Sequence, residues 1–357
     1  MRYYQRLASA MVALGLAGLA GSAAAQGAPE GYHLERVLKI PGSATGWDYN
    51  AIDEQHRHIF IAHRKDGLQV FDIKSGQVIK SIGQSAGANT AALAPEFDLG
   101  LAGTTDGAIV LFKLSTLKTL ARYASTTSGF DGASYDAVSQ RFAVVGEADM
   151  EKHSTPVLFF DGRSGRPLGT LLLDSTKVDA PRPDGKGNFY LPLRDQAVVA
   201  KIDGRGMRLA ATMALKDCLL PAALEIDAAQ QRLFVGCRGK GAAAPALAVL
   251  DLGSGRQLAT LPIGRGVDEV LYDSKAQAIM TANGDDGSMT VIRPQPDGQY
   301  RVTATIGTRP RARTGVLDPV SGKIYLVQAE YIDTYPEGQE TVTSYLANTF
   351  SVLTYSK

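Results

Sequence analysis

The sequence has 357 residues, 45% of them apolar and 20% charged, with 38 Gly. That is enough apolar mass for a sizeable core, and it excludes a disordered or fibrous chain. The 37 basic against 36 acidic side chains leave +1, no electrostatic ground for nucleic acid or an anionic membrane as the main partner. Two Cys are too few for a disulfide-built mini-fold or an all-Cys zinc site.

The first element is an export signal. Arg2 and Arg6 precede the small and apolar run LASAMVALGLAGLAG, and Ala23-Ala24-Ala25 form an A-x-A cleavage pattern before Gln26. The run is short for a bilayer and rich in Gly and Ala, so a cleaved secretory signal over residues 1–25 is the expectation, with the product in the periplasm or secreted. No Cys stands near the cut to carry a lipid, and no later stretch approaches the roughly 18 apolar residues of a spanning helix. Cleavage removes two Arg and leaves 35 basic against 36 acidic groups, a net charge of −1.

From there the chain repeats. A segment reading apolar–Asp, a few polar residues and an apolar strand occurs as NAIDEQHRHIFIAH, SYDAVSQRFAVVG, EIDAAQQRLFVGC, LYDSKAQAIMTAN and VLDPVSGKIYLVQ, with weaker copies ALAPEFDLGLAGT and RPDGKGNFYLPLR. The anchors are Asp53, Ala94, Asp136, Asp184, Asp227, Asp273 and Asp318, at steps of 41, 42, 48, 43, 46 and 45 residues. A period in the forties without helical patterning reads as one four-stranded propeller blade per repeat. Third strands recur as LQVFD, AIVLFK, VLFFD, VVAKID, LAVLDL, MTVIR and FSVLTY, and fourth strands follow six of them after small turns. The seventh repeat ends at Lys357 without a fourth strand; the N-terminal run YHLERVLKI supplies it and closes the ring. The expected fold is an all-β, seven-bladed propeller over residues 26–357, with antiparallel blades and the last blade completed by the N-terminal strand. Its longest insertions, EADMEKHSTP in the third repeat and AEYIDTYPEGQETVTSYLAN in the seventh, fall on one face, where binding usually lives.

The motifs GWDYNAID, GFDGASYD, PAALEIDAAQQRLFVGCRGK, LPIGRGVDEVLYD and RPRARTGVLDPVSGKIYLVQAEY resemble the YVTN/YncE-type seven-bladed propellers exported by bacteria. The resemblance spans the chain after the signal. It implies an envelope protein with a WD40-like repeat architecture and, for most members, no established activity. Several repeats lack the Asp-Pro of the family pattern, and the fourth repeat is weak.

Candidate chemistry is sparse. Gly83-Gln84-Ser85-Ala86-Gly87 matches G-x-S-x-G, but it follows a fourth strand, whereas a nucleophile elbow needs a strand-to-helix turn, so Ser85 reads as part of an inter-blade turn. His58 and His63 are separated by roughly 17 Å along one strand and cannot share an ion. His63, beside Arg64, is expected in a solvated loop with a ligand contact as the alternative. Cys218 and Cys237 bracket the first two strands of the fifth blade, Cys237 opposite Ala222, and in an oxidising compartment read as one disulfide. A metal-binding or redox pair is the alternative.

The least bland pattern lies five residues before the anchors: Asp48, Asn89, Asp131, Asp179, Ala222, Asp268 and Arg313. This position opens each innermost strand at the channel mouth. The residues either cap strand starts and latch blades, or hold a cation or polar ligand. Arg64, Arg194, Arg238 and Arg311 belong to the same face and admit an anionic ligand. No cofactor motif is present, and the identity of any metal is open; a cation at the mouth is the one such group the pattern admits. The function expected is non-enzymatic binding or scaffolding for a small ligand, metal ion or envelope partner. The alternative is a lactonase-like hydrolase at the channel mouth, by analogy of fold.

Overall fold

The computed structural model describes residues 31–338 and 341–357. The expected signal over residues 1–25 lies outside them. Seven four-stranded antiparallel sheets follow one another round a ring. The innermost strands of blades one to six are Asn50–Asp53, Ala88–Ala94, Phe130–Asp136, Arg182–Pro183, Pro221–Asp227 and Val267–Asp273. Blade seven is built from Thr314–Leu317, Ile324–Gln328 and Ser351–Ser356, and its outer strand is His33–Lys39 from the other end of the chain. That strand pairs antiparallel with Ser351–Ser356, so the ring is closed by backbone hydrogen bonds. The weak fourth repeat appears as an inner strand of only two ladder residues, Arg182 and Pro183, because proline donates no ladder bond.

The core lies between blades. Phe60 and Val70 of blade one pack on Phe112 and Val110 of blade two, and Tyr190 and Val199 of blade four pack on Leu233 and Val235 of blade five. The closing contact sets Trp47, Ile59 and Phe71 against Val316, Tyr325 and Phe350. Middle strands are buried on both faces, which is why they read as continuous apolar runs rather than alternating ones. The outer strands are largely exposed, and Thr119–Ala124 alternates between half-buried and exposed residues. Each outer strand also carries one register shift at the same place, next to Ile79, Leu120, Leu168, Ala210, Leu258, Thr303 and Glu35. A bulge there twists the exposed edge away from further pairing.

Cys218 and Cys237 form a disulfide, closing 19 residues at a Cα–Cα separation of 5.3 Å. The register differs from the expectation in one respect. Cys237 stands opposite Pro221, because Ala222 is bulged out of the ladder. The seventh-blade insertion forms an extra hairpin, Tyr331–Thr334 with Val342–Tyr345.

Candidate functional site

The bulges decide the site. In blades two, three, five and six the ladder of the first two strands breaks at Asn89, Asp131–Gly132, Ala222 and Asp268. A bulged residue leaves the pairing pattern and its side chain is re-aimed. The position five before the anchor is therefore a bulge position, which frees Asp131 and Asp268 to turn toward the channel. Asp48, Asp179 and Arg313 reach the same place from just outside the short inner strands of their blades.

The result is a polar cavity of about 240 Å3 at the channel mouth. Asp48, Asp131, Asp179, Asp268, Arg194, Arg238 and Arg313 all line it, together with Tyr49, Lys177, Gly266, Asp285 and Arg311. Gly266 is there because φ is +77° and a Cβ would strike the Asp285 carboxylate. Arg311 ties the mouth to the seventh-blade hairpin through Asp333 at 3.2 Å and Thr343 at 3.2 Å, and its guanidinium lies over Tyr331.

Most of these charges hold one another, often across blade boundaries. Lys177 donates to Asp131 at 2.6 Å. Asp268 accepts from Arg313 of blade seven at 2.8 Å and from Arg238 of blade five. Arg238 fills the gap that Ala222 leaves in the ring. Arg64 approaches Asp48 at 3.3 Å and donates to Asn89 at 3.0 Å. Deeper in the channel, Arg182 of blade four donates to Glu269 of blade six and lies 3.7 Å from Glu225 of blade five. A contact that skips a blade must cross the channel.

Burial sets the protonation of this cluster. It lifts the Asp179 carboxyl to about 7, against the pull of Arg194, and Asp48 to about 6, against Arg313. Burial lifts Glu269 to about 8, with Arg182 opposing and Glu225 reinforcing. The same burial acts on Asp268, yet Arg238, Arg313 and Arg194 outweigh it and hold that carboxyl below the usual range. Tyr49 is pushed well above the phenol range, first by burial and then by Asp179 and Asp131.

Two of the expected residues stand elsewhere. Asn89 does not line the cavity; its amide donates to the Phe130 carbonyl at 3.1 Å while its oxygen accepts from Arg64, so it joins three blades. His63 is not in a solvated loop and does not meet the cavity. It is fully buried, stacks on Phe350 with ring centres 3.8 Å apart, and faces Gln69 at 3.1 Å and Asp66 at 3.3 Å. The chain's return from the hairpin covers it, which the local sequence does not reveal. Ser85 is an inter-blade turn residue: its hydroxyl donates to the Ile82 carbonyl and accepts from the Leu68 amide. Among the described residues no three His, Cys, Asp or Glu side chains form a group that could hold a metal ion.

Lys177 was missed, although a signal exists. Seven residues before the anchors stand Gly46, Gly87, Gly129, Lys177, Leu220, Gly266 and Arg311. A glycine position interrupted by two cations marks both as directed side chains, and both line the mouth. Arg64, Arg194 and Arg238 share another offset, ten or eleven residues after their anchors.

No known sequence family matches this chain, and no curated protein matches it. Solved structures do. A structure described as U3-55K superposes with a TM-score of 0.68 at 10% identity, covering 89% of this chain and 98% of its own. The RRP9 WD40 repeats give 0.69 at 10% identity, covering 90% and 97%. A chain of a mitotic checkpoint complex gives 0.69 at 14% identity, covering 97% and 99%. What they share with this protein is the seven-bladed WD40-type propeller. At such identities the likeness is one of fold. Among the described residues no helix is long and apolar enough to cross a membrane.

Proposed function

We propose that this is an exported, non-enzymatic binding protein of the YVTN/YncE type that takes a small polar ligand at the channel mouth. The observation that carries the reading is the mouth itself. Five basic and five acidic side chains converge on one 240 Å3 cavity, on the face that bears the seventh-blade hairpin. Charge alternation of this kind serves recognition of a polar molecule and gives an apolar one nothing to bury against. The signal pattern at residues 1–25 and the Cys218–Cys237 disulfide support export, since disulfides persist in oxidising compartments. Neighbouring folds that include a chain of a named multiprotein complex fit a binding role rather than a reaction.

The test is isothermal titration of the purified protein with a charge-diverse panel: calcium chloride, putrescine, succinate, glycine, L-serine and L-glutamate. One class should bind at a one-to-one ratio, and Arg311→Ala at the cavity rim should weaken it several-fold. A panel with no saturable heat in any class overturns the reading.

A further inference from the structure

Resting on that reading, the geometry within the cavity narrows the ligand. Three ion pairs of the mouth are closed: Lys177 with Asp131 at 2.6 Å, Arg313 with Asp268 at 2.8 Å, and Arg238 with Asp268 in direct contact. Arg311 and Asp285 at 3.5 Å, Arg313 and Asp48 at 4.0 Å, and Asp179 with Lys177 at 3.9 Å and with Arg194 stay open. Of the carboxylates in these open pairs, Asp179 is the one with a buried oxygen that has no hydrogen-bond partner. The Arg194 Nη1 stands 3.4 Å from each Asp179 oxygen, well beyond the roughly 2.7–2.9 Å of a charge-assisted hydrogen bond. Asp179 is only 3% exposed, and its Oδ2 has no hydrogen-bond partner. Buried carboxylate oxygens are rarely left so. Arg194 in turn makes no other side-chain hydrogen bond among the described residues, leaving most of its five N–H donors unused.

This is an ion pair held open, with an unused acceptor on one side and unused donors on the other. Both groups line the same cavity. A cation alone would answer Asp179 and repel Arg194; an anion alone would do the reverse. A molecule carrying both charges replaces one long pair by two short ones and leaves the balance of five cations and five carboxylates unchanged. At about 240 Å3 the cavity has room for a small molecule, and Tyr49 is the one aromatic among its described lining residues.

We propose that the mouth binds a small zwitterion of the α-amino acid type, with its carboxylate on Arg194 and its ammonium on Asp179 Oδ2. Lys177, two residues before Asp179, stays with Asp131 and closes that flank. The side chain of the ligand points toward Arg311 and Asp285 at the rim, so small or polar side chains fit and large apolar ones do not.

Titration calorimetry with glycine, L-serine and L-glutamate tests this, against the half-molecules acetate and methylammonium and against succinate, putrescine and calcium chloride. At least one amino acid should bind one-to-one and at least tenfold more tightly than acetate or methylammonium. Asp179→Asn and Arg194→Gln should each weaken it tenfold or more, while Lys152→Ala, on the third-blade insertion, should not. If succinate, putrescine or calcium binds instead, and Arg311→Ala weakens it, the mouth remains a binding site and the zwitterion assignment falls. If an amino acid binds but neither Asp179→Asn nor Arg194→Gln weakens it, the assignment likewise falls. If nothing binds, both readings fall together. Should Asp179→Asn fail to fold, the wild-type protein decides. Asp179 faces Arg194, Lys177, Tyr49 and the neighbouring Asp131 and, across the mouth, Asp268. Protonation of Asp179 competes with the ligand ammonium, so affinity should drop severalfold between pH 8 and pH 6, and a flat profile overturns the placement.

Discussion

The two ends of the inner strands carry the same residue type and use it differently. The hairpin aspartates are held by local amides, to which Asp227, Asp273 and Asp318 add a distant partner, whereas the mouth aspartates rely on distant partners. At the tight hairpins, aspartates accept from backbone amides two to four residues ahead. Asp227 takes Ala229 and Gln230 at 3.0 Å, Asp273 takes Lys275 and Ala276 at 3.0 Å, and Asp53 takes Gln55 at 3.0 Å. At the mouth, Asp131 and Asp268 take cations from 30 to 46 residues away. Local amides cost little to bring together and stabilise the ionised form, whereas the mouth carboxylates are buried first and compensated by whatever the neighbouring blades deliver. Asp318, at a hairpin, is buried too, but Arg57, Ser321 and the Val320 amide outweigh that burial and hold it at about 2. Asp48 and Asp179, at the mouth, stand at about 6 and 7. The hairpin end is built for stability, and the mouth keeps its charge at some cost to stability.

Removing the frame that holds the two ends apart should have the largest effect. Deletion of residues 31–40 takes away the strand that pairs with Ser351–Ser356, and cooperative thermal unfolding should be lost or moved sharply down; an unchanged melting temperature contradicts closure by that strand. Next comes the strongest hairpin-end contact, the two-pronged Arg57–Asp318 pair at 2.7 and 2.5 Å. Arg57→Ala leaves a buried carboxylate with only local partners and should cost about 3 kcal/mol in urea unfolding. The Cys218→Ser, Cys237→Ser double variant opens a 19-residue loop on the mouth side and should cost about 3 kcal/mol or less. Thiol labelling of denatured, unreduced protein should find no free Cys.

The contrast itself is read by pH. The folded carboxyls of Asp48 and Asp179 titrate above their unfolded value, so between about pH 4 and 7 the folded chain binds protons that the unfolded chain releases. Their contribution to stability is full below about pH 4 and is lost as pH rises through 6 and 7. Asp318 has the opposite sign: its contribution is present above about pH 4 and is lost as pH falls through about 2. Asp179→Asn should therefore flatten the decline in stability between pH 5 and 8, by on the order of 2 kcal/mol across that range, and an unchanged slope contradicts the burial argument. The smallest effect belongs to one local cap. Asp227→Ala removes two amide contacts and the Tyr272 hydroxyl bond at 2.7 Å, and should cost about 1–2 kcal/mol in urea unfolding.

Period, strand order, ring closure and the Cys218–Cys237 pairing were all legible in the sequence. Each rests on a signal that is local or strictly repeated: an Asp capping its own turn, an apolar strand a fixed distance on, a missing fourth strand matched by one left over. The offset of Asp48, Asp131, Asp179, Asp268 and Arg313 was legible for the same reason, since equivalent residues of a closed ring occupy equivalent radial positions. What the tertiary structure decided is partnership. It put Lys177 on Asp131, drew Asn89 out of the ring and into a three-blade contact, buried His63 under Phe350, and left Asp179 and Arg194 3.4 Å apart. Those outcomes depend on bulges and connections that bring together residues from different blades. A repeat pattern fixes where a side chain starts, and the neighbouring blade fixes what it meets.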